Sequence, residues 1–374
     1  MSKTSKKTAA KSPAQPSPAR AARANVAPGG PVTLKEAQAL VRGPVPLRAV
    51  RGPGGPAPAA SPKEIGEERK KLKEEQEQEM ERRISDYKAT MEIMKKRGVK
   101  GLGAQAASPG VLRAPGLAAG AAAAPVATPQ PLQIFAEGDS WFDYPVPFFG
   151  GGIIPRLESK LGVPILNLAK AGDEVRYMMG VDERRILEKH FIDGCPAGGP
   201  WDVMLFSGGG NDIVGAPMAL WVKDYVAGGT AINQPRYDDA LGMVTAGYED
   251  LITMRNTLSP TTHLVFHAYD WALPDGRGIC GMGPWLKPTF DVRKFPTTLA
   301  TRSAVVKQML VQFATILNSL ATKNPDVTFI NGQGTLAPIT SSWHNELHPS
   351  RGGFNQFATL FQSKLKALFP TRVP

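Results

Sequence analysis

The sequence predicts an α/β domain in its C-terminal part: a five-stranded parallel sheet covered by helices on both faces, in three α/β/α layers. Three observations predict it. Short apolar runs of buried-strand type recur at 132–136, 164–169, 202–207, 262–268 and 327–331. Stretches of helical character fit between them, at 153–161, 181–191, 217–226, 237–258 and 298–322, with a last one at 352–368. Four of the five runs lead into a glycine-bearing or polar loop, and ligands of parallel sheets bind beyond the carboxyl ends of the strands.

Ahead of this domain the composition differs. Residues 1–60 are rich in Ala, Pro, Gly and Lys and nearly free of aromatics, so they predict a disordered basic tail that buries too little apolar surface to order itself. A long charged helix follows at 61–98. Ser61 and Glu64 have capping-box spacing, Pro62 suits the first turn, and Lys95, Lys96 and Arg97 before Gly98 make a basic end and a stop. Its apolar residues Ile65, Leu72, Met80, Ile84, Tyr87, Met91 and Met94 form one narrow stripe. Two readings of the stripe stay open: coiled-coil self-association or docking on a protein partner, and packing against its own domain. Residues 99–130 read as a flexible Ala/Gly/Pro linker, and 131–374 as the folded domain.

The net charge of +11 belongs to the front of the chain. Residues 1–130 hold 23 Lys and Arg against 11 Asp and Glu; the remainder holds 21 against 22. A near-neutral domain offers no field to steer nucleic acid, so any polyanion contact is assigned to the tail. The N-terminus has lysines without a following apolar core, which argues against a secretory signal peptide, and the Ala-rich stretch 111–128 is broken by Arg113, prolines and glycines, which argues against a membrane span. A cytoplasmic location, or export without such a signal, is the expectation. The two cysteines, Cys195 and Cys280, are too few for a disulfide framework or a zinc site, and their spacing does not say whether they pair.

The loops after the strands carry chemistry. The first is Gly138-Asp139-Ser140, the second holds Gly172, the third is Gly208-Gly209-Gly210-Asn211-Asp212, and the last, before the final helix, runs from Trp343 to Pro349. A serine hydroxyl becomes a nucleophile when a histidine takes its proton, and acyl transfer needs donors aimed at an oxyanion. Ser140 and His348 suit the first requirement; the Ser140 and Gly172 N–H groups and the Asn211 amide suit the second. His344 is the runner-up base; His190 and His263 lie at element ends, and His267 is a further competitor. Trp141, Phe142, Trp271 and Trp285 are candidates for an apolar substrate wall, the last two on a long loop after the fourth strand.

Four blocks centred on Ser140, Gly172, Asn211 and His348, in that order, resemble the SGNH or GDSL-like hydrolase superfamily. The resemblance spans about residues 132–370. It implies a flavodoxin-like three-layer sandwich, a metal-free and cofactor-free ester hydrolase of esterase, lipase or carbohydrate O-acetylesterase type, and a small-molecule, glycan or lipid ester as substrate. A catalytically weak binding module of this fold, or an interaction protein acting through tail and helix, are the competing readings. The chain departs from the pattern at one place. The last block of the superfamily has an aspartate three residues before the histidine, where this chain has Asn345. Asn345, the adjacent Glu346, or a backbone carbonyl would then orient the ring.

Overall fold

The computed structural model describes residues 30–42, 62–100, 130–144, 151–279 and 282–374. The predicted sheet is present. Its strands are β1 (Ile134–Gly138), β2 (Ile165–Asn167), β3 (Val203–Ser207), β4 (His263–His267) and β5 (Val327–Ile330), all parallel, in the order β2-β1-β3-β4-β5. That is the flavodoxin-like order, in which strand succession reverses beside β1. The carboxyl ends of β1 and β3 therefore border the crevice where a ligand would lie.

The helices are α1 (Leu34–Arg42), α2 (Pro62–Arg97), α3 (Ile153–Leu161), α4 (Val175–Met178), α5 (Val181–Asp193), α6 (Gly210–Ile213), α7 (Gln234–Leu258), α8 (Lys287–Val292), α9 (Leu299–Lys323) and α10 (Arg351–Leu368). α3 packs on α10, while α7 packs with α4, α5 and α9. The strands between these layers are buried on both faces, β1 and β3 at every position, which is why their sequences run apolar without alternation. Phe206 and Phe266 meet Tyr248 of α7 edge to face, at 5.0 and 4.8 Å between ring centres. α9 is, among the described residues, the one helix long and apolar enough to cross a membrane; here Val305, Val306, Met309, Leu310, Phe313 and Leu317 bury its apolar face in the core.

Two expectations need correction. The stretch 217–226 is only a short 3-10 turn, Ala216–Leu220; a bridge from Val222 to Ile232 then pulls the chain out of helix. Within the tail, residues 30–42 are ordered. Thr33 and Glu36 form a capping box, with Thr33 N–H donating to Glu36 at 2.7 Å and Glu36 N–H to the Thr33 hydroxyl at 3.3 Å. Val32, paired with Val99, and Ala37 are fully buried against the end of α2. Glu36 is also held by Lys100 at 2.8 Å, and its carboxyl falls to about 2. The rest of 1–60, Ser61, most of the 99–130 linker and Cys280 lie outside the described residues.

The second half of the α2 stripe docks on its own domain. Tyr87, Met91 and Met94 are buried, and burying a side chain of that size contributes roughly 1.5–3 kcal/mol. The Tyr87 ring stands 5.6 Å from Trp201, and its hydroxyl touches the buried Cys195 sulfur at 3.6 Å. Arg83, at the other end of the docked half, donates to the Asn167 and Ala169 carbonyls at 3.2 and 3.3 Å and pairs with Asp143 at 3.1 Å. α2 thus runs along the β2 edge of the sheet and ties the loops after β1 and β2 together.

Candidate active site

Ser140 leaves β1 on a turn dictated by its neighbours. A side chain at Gly138 would sit 2.6 Å from the Ser207 carbonyl oxygen, so only glycine lets β1 end this close to β3. Asp139, next in the chain, is buried and staples the turn. One carboxylate oxygen accepts from the Trp141 N–H and the Ser207 hydroxyl, each at 2.9 Å; the other accepts from the Tyr269 hydroxyl at 2.5 Å. Burial pushes its carboxyl up to about 6, against the pull of those hydrogen bonds.

The Ser140 Oγ lies 2.6 Å from His348 Nε2, although the two residues are 208 positions apart. His348 sits just before α10, whose first turn is capped by Ser350. On its other side, His348 Nδ1 lies 2.9 Å from Asn345 Oδ1. That amide atom must be the oxygen, because the Leu347 and His348 backbone N–H groups also donate to it, at 3.0 and 2.9 Å. An acceptor facing Nδ1 puts the ring proton there. Nε2 then presents its lone pair to the serine hydroxyl, which donates.

Tyr144 completes the arrangement. Its hydroxyl accepts from Asn345 Nδ2 at 3.1 Å and meets His344 Nδ1 at 2.7 Å, while its ring stacks on His348 with centres 4.4 Å apart. Burial, with a smaller contribution from His344, pushes the His348 imidazole down to about 3. His348 is therefore neutral at ordinary pH.

Of the three candidates to orient His348, Asn345 holds the place. Glu346 is buried but points away, its two oxygens accepting backbone N–H groups of Gly276, Trp285, Leu286 and Lys287 at 2.6 to 3.0 Å. His344 bonds Tyr144, not Ser140. His267 is buried and bonds Ser207 at 2.8 Å, the half-buried His263 bonds Thr328 at 2.8 Å, and His190 receives the Trp201 indole N–H on its backbone carbonyl at 2.9 Å.

Asn211 lies in α6, beside the crevice, and its amide donates to the Asp173 carbonyl at 2.8 Å, tying the third loop to the second. Gly172, adjacent to Asp173, takes φ 89°, a left-handed conformation that favours glycine, and is exposed. A small cavity opens off Ser140 and is lined by Trp141, Asn211, Val214, Tyr269, Leu310, His348 and their neighbours; Gly172 stands outside its lining. Of the four aromatics expected as a wall, Trp141 lines this cavity and Trp285 flanks His348, ring centres 5.9 Å apart. Phe142 is instead core, stacked on His267, and Trp271 lies under Lys307 Nζ at 3.6 Å.

Serine, glycine, asparagine and histidine blocks thus occupy the carboxyl edge of a β2-β1-β3-β4-β5 sheet, with serine and histidine in hydrogen-bond contact. The domain has the flavodoxin-like fold that a resemblance to SGNH hydrolases implies. No family model matches the chain, and no curated protein matches it. Solved structures similar to it include a lipase from a goat rumen metagenome, 16% identical, covering 62% of this chain and 96% of its own length at a TM-score of 0.42. An extracellular lipase from Streptomyces rimosus is 14% identical over 62% of this chain and 99% of its own, at 0.41. A family 3 carbohydrate esterase from Clostridium thermocellum is 16% identical over 63% and 98%, at 0.37.

Sequence reasoning missed four supports of this site. Tyr144 lies in the same short stretch as Ser140, but no spacing rule links it to a residue 201 positions away. Ser207 and Tyr269, which hold Asp139, end β3 beside β1 and follow β4 one strand further out, and strand order must be known before they can be placed there. Arg83 had no signal beyond lying within the charged helix.

Proposed function

We propose that the C-terminal domain is a serine ester hydrolase working through an acyl-enzyme on Ser140. The observation that carries this reading is the continuous chain Ser140 Oγ, His348 Nε2, His348 Nδ1, Asn345 Oδ1, with contacts of 2.6 and 2.9 Å. Nucleophile, base and orienting group are the three parts such chemistry requires, and a neutral asparagine orients the histidine in papain-like proteases as well.

In the proposed cycle, Ser140 Oγ bonds to the ester carbonyl carbon as its proton passes to His348 Nε2. The oxyanion is held by the Asn211 amide with the Gly172 and Ser140 N–H groups. The carbon–oxygen bond to the alcohol breaks, and the proton on Nε2 goes to the departing oxygen. A water then gives its proton to His348 and attacks the acyl carbon, the proton returns to Ser140 Oγ, and the acid leaves. Asn211→Ala is expected to lower kcat by ~10²–10³ with little change in KM, since its amide acts on charge that develops after binding; steady-state kinetics on an activated ester check this.

The reading itself is tested with a small serine-directed fluorophosphonate. The expected result is one adduct, mapped to Ser140 by peptide mass spectrometry and absent from Ser140→Ala. No adduct, together with ester turnover no faster than the uncatalysed background in both the wild type and Ser140→Ala, would assign the domain to binding instead of catalysis.

A further inference from the structure

Resting on the ester-hydrolase reading, we infer that the acyl group accepted by Ser140 is short, two to four carbons in all, and that the alcohol part stays outside the small cavity beside it. The cavity beside Ser140 has about 30 Å³ of room for the centre of a water-sized sphere. One water needs about 10–15 Å³ on that measure, so two or three heavy atoms fill it. Its walls include Val214 at the end of α6, Tyr269 and Ala272 after β4, Leu310 on α9, and Leu347 beside the base.

The chemistry of the walls favours an apolar guest. The carboxylates that reach the cavity are already engaged. Asp139 is held by Trp141, Ser207 and Tyr269, and Asp270 accepts the Trp271, Gly334 and Leu336 N–H groups at 2.7 to 2.8 Å. A sugar hydroxyl placed on the side of Val214, Ala272 and Leu310 would leave its hydrogen bonds unmade, which costs about 1–3 kcal/mol for each buried group. A methyl or propyl chain meets no such cost.

Stereochemistry assigns the acyl part to this space. Around the attacked carbon, the oxyanion belongs beside Asn211 and the departing oxygen beside His348 Nε2, which must protonate it. Asn211 and His348 themselves line one side of the cavity, so the acyl chain, the one substituent left, is directed to the apolar side made by Val214, Ala272 and Leu310. A longer chain has to displace Leu310, which is buried in α9 and packed in the core.

The test is a chain-length series on the full-length protein, with p-nitrophenyl acetate, butyrate, octanoate and palmitate below any micellar threshold. We expect kcat/KM on acetate and butyrate to exceed that on octanoate by at least ~10-fold, the order of discrimination that a few methylenes in an apolar pocket supply. Leu310→Ala, and independently Val214→Ala should the first variant fold poorly, are expected to raise octanoate relative to acetate. Octanoate or palmitate turned over as well as acetate by the wild type would overturn the inference while leaving the serine mechanism intact. No turnover of any ester, with no fluorophosphonate adduct on Ser140, would overturn both.

Discussion

Ser140→Ala and His348→Ala are each expected to lower kcat on an activated ester by ~10⁴ or more, and the double variant to be no slower than either single one. The two side chains form one device. The hydroxyl at 2.6 Å from Nε2 attacks only as its proton leaves, and the imidazole has no proton to take once the hydroxyl is gone. Losses that simply multiply in the double variant would mean that the residues act separately, contrary to the proposed cycle. Circular dichroism of all three variants guards against a folding artefact, since both side chains are buried.

The second large effect concerns the residue at which the chain departs from the SGNH pattern it resembles. Asn345→Ala is expected to cost between ~10² and ~10⁴ in kcat, because losing the acceptor at Nδ1 frees the ring to take the wrong tautomer. Asn345→Asp, by contrast, should keep activity and change its pH dependence. Among the described residues no carboxylate bonds His348, and burial pushes its imidazole down to about 3. A base needs its neutral form, so His348 itself limits activity only as pH falls through that value. An aspartate 2.9 Å from Nδ1 favours imidazolium and moves the acid limb of kcat/KM upward by about 1–3 pH units. Asp139, pushed up to about 6 by burial, titrates in both proteins, so the difference between the two profiles isolates His348. Superimposable acid limbs would mean that residue 345 does not face the ring in solution.

The reason some of this was legible from residues alone is local. β1 to β5 announce themselves because strands buried on both faces are continuous apolar runs, and the polar residues directly after them must lie at one edge of the sheet. Ser140, Asn211 and His348 were readable on that ground. What escaped depends on distance across the fold. Nothing in the sequence around Tyr144 says that it will accept from Asn345, and the choice between Asn345 and Glu346 turned on which way two adjacent side chains point. The capping box at Thr33 and Glu36 is a different kind of miss. It was written in the sequence but submerged in a segment whose average composition predicts disorder.

Glu346 has a consequence for how this site could change its specificity. Its carboxylate holds the long loop through backbone N–H groups alone, at Gly276 on one side and Trp285, Leu286 and Lys287 on the other. Such contacts do not read side-chain identity. Glu346 is also two residues from His348 in the same tight segment, so the loop and the base share one anchor. The loop therefore behaves like an interchangeable faceplate at its half-buried positions, Trp285 and Lys287: side chains there can be exchanged while its path, and the base behind it, stay put, whereas Gly276, at φ 89°, and the fully buried Leu286 are fixed. Diversification aimed at new alcohols should vary Trp285 and Lys287 and spare position 346, where even glutamine would set an NH₂ group against backbone donors.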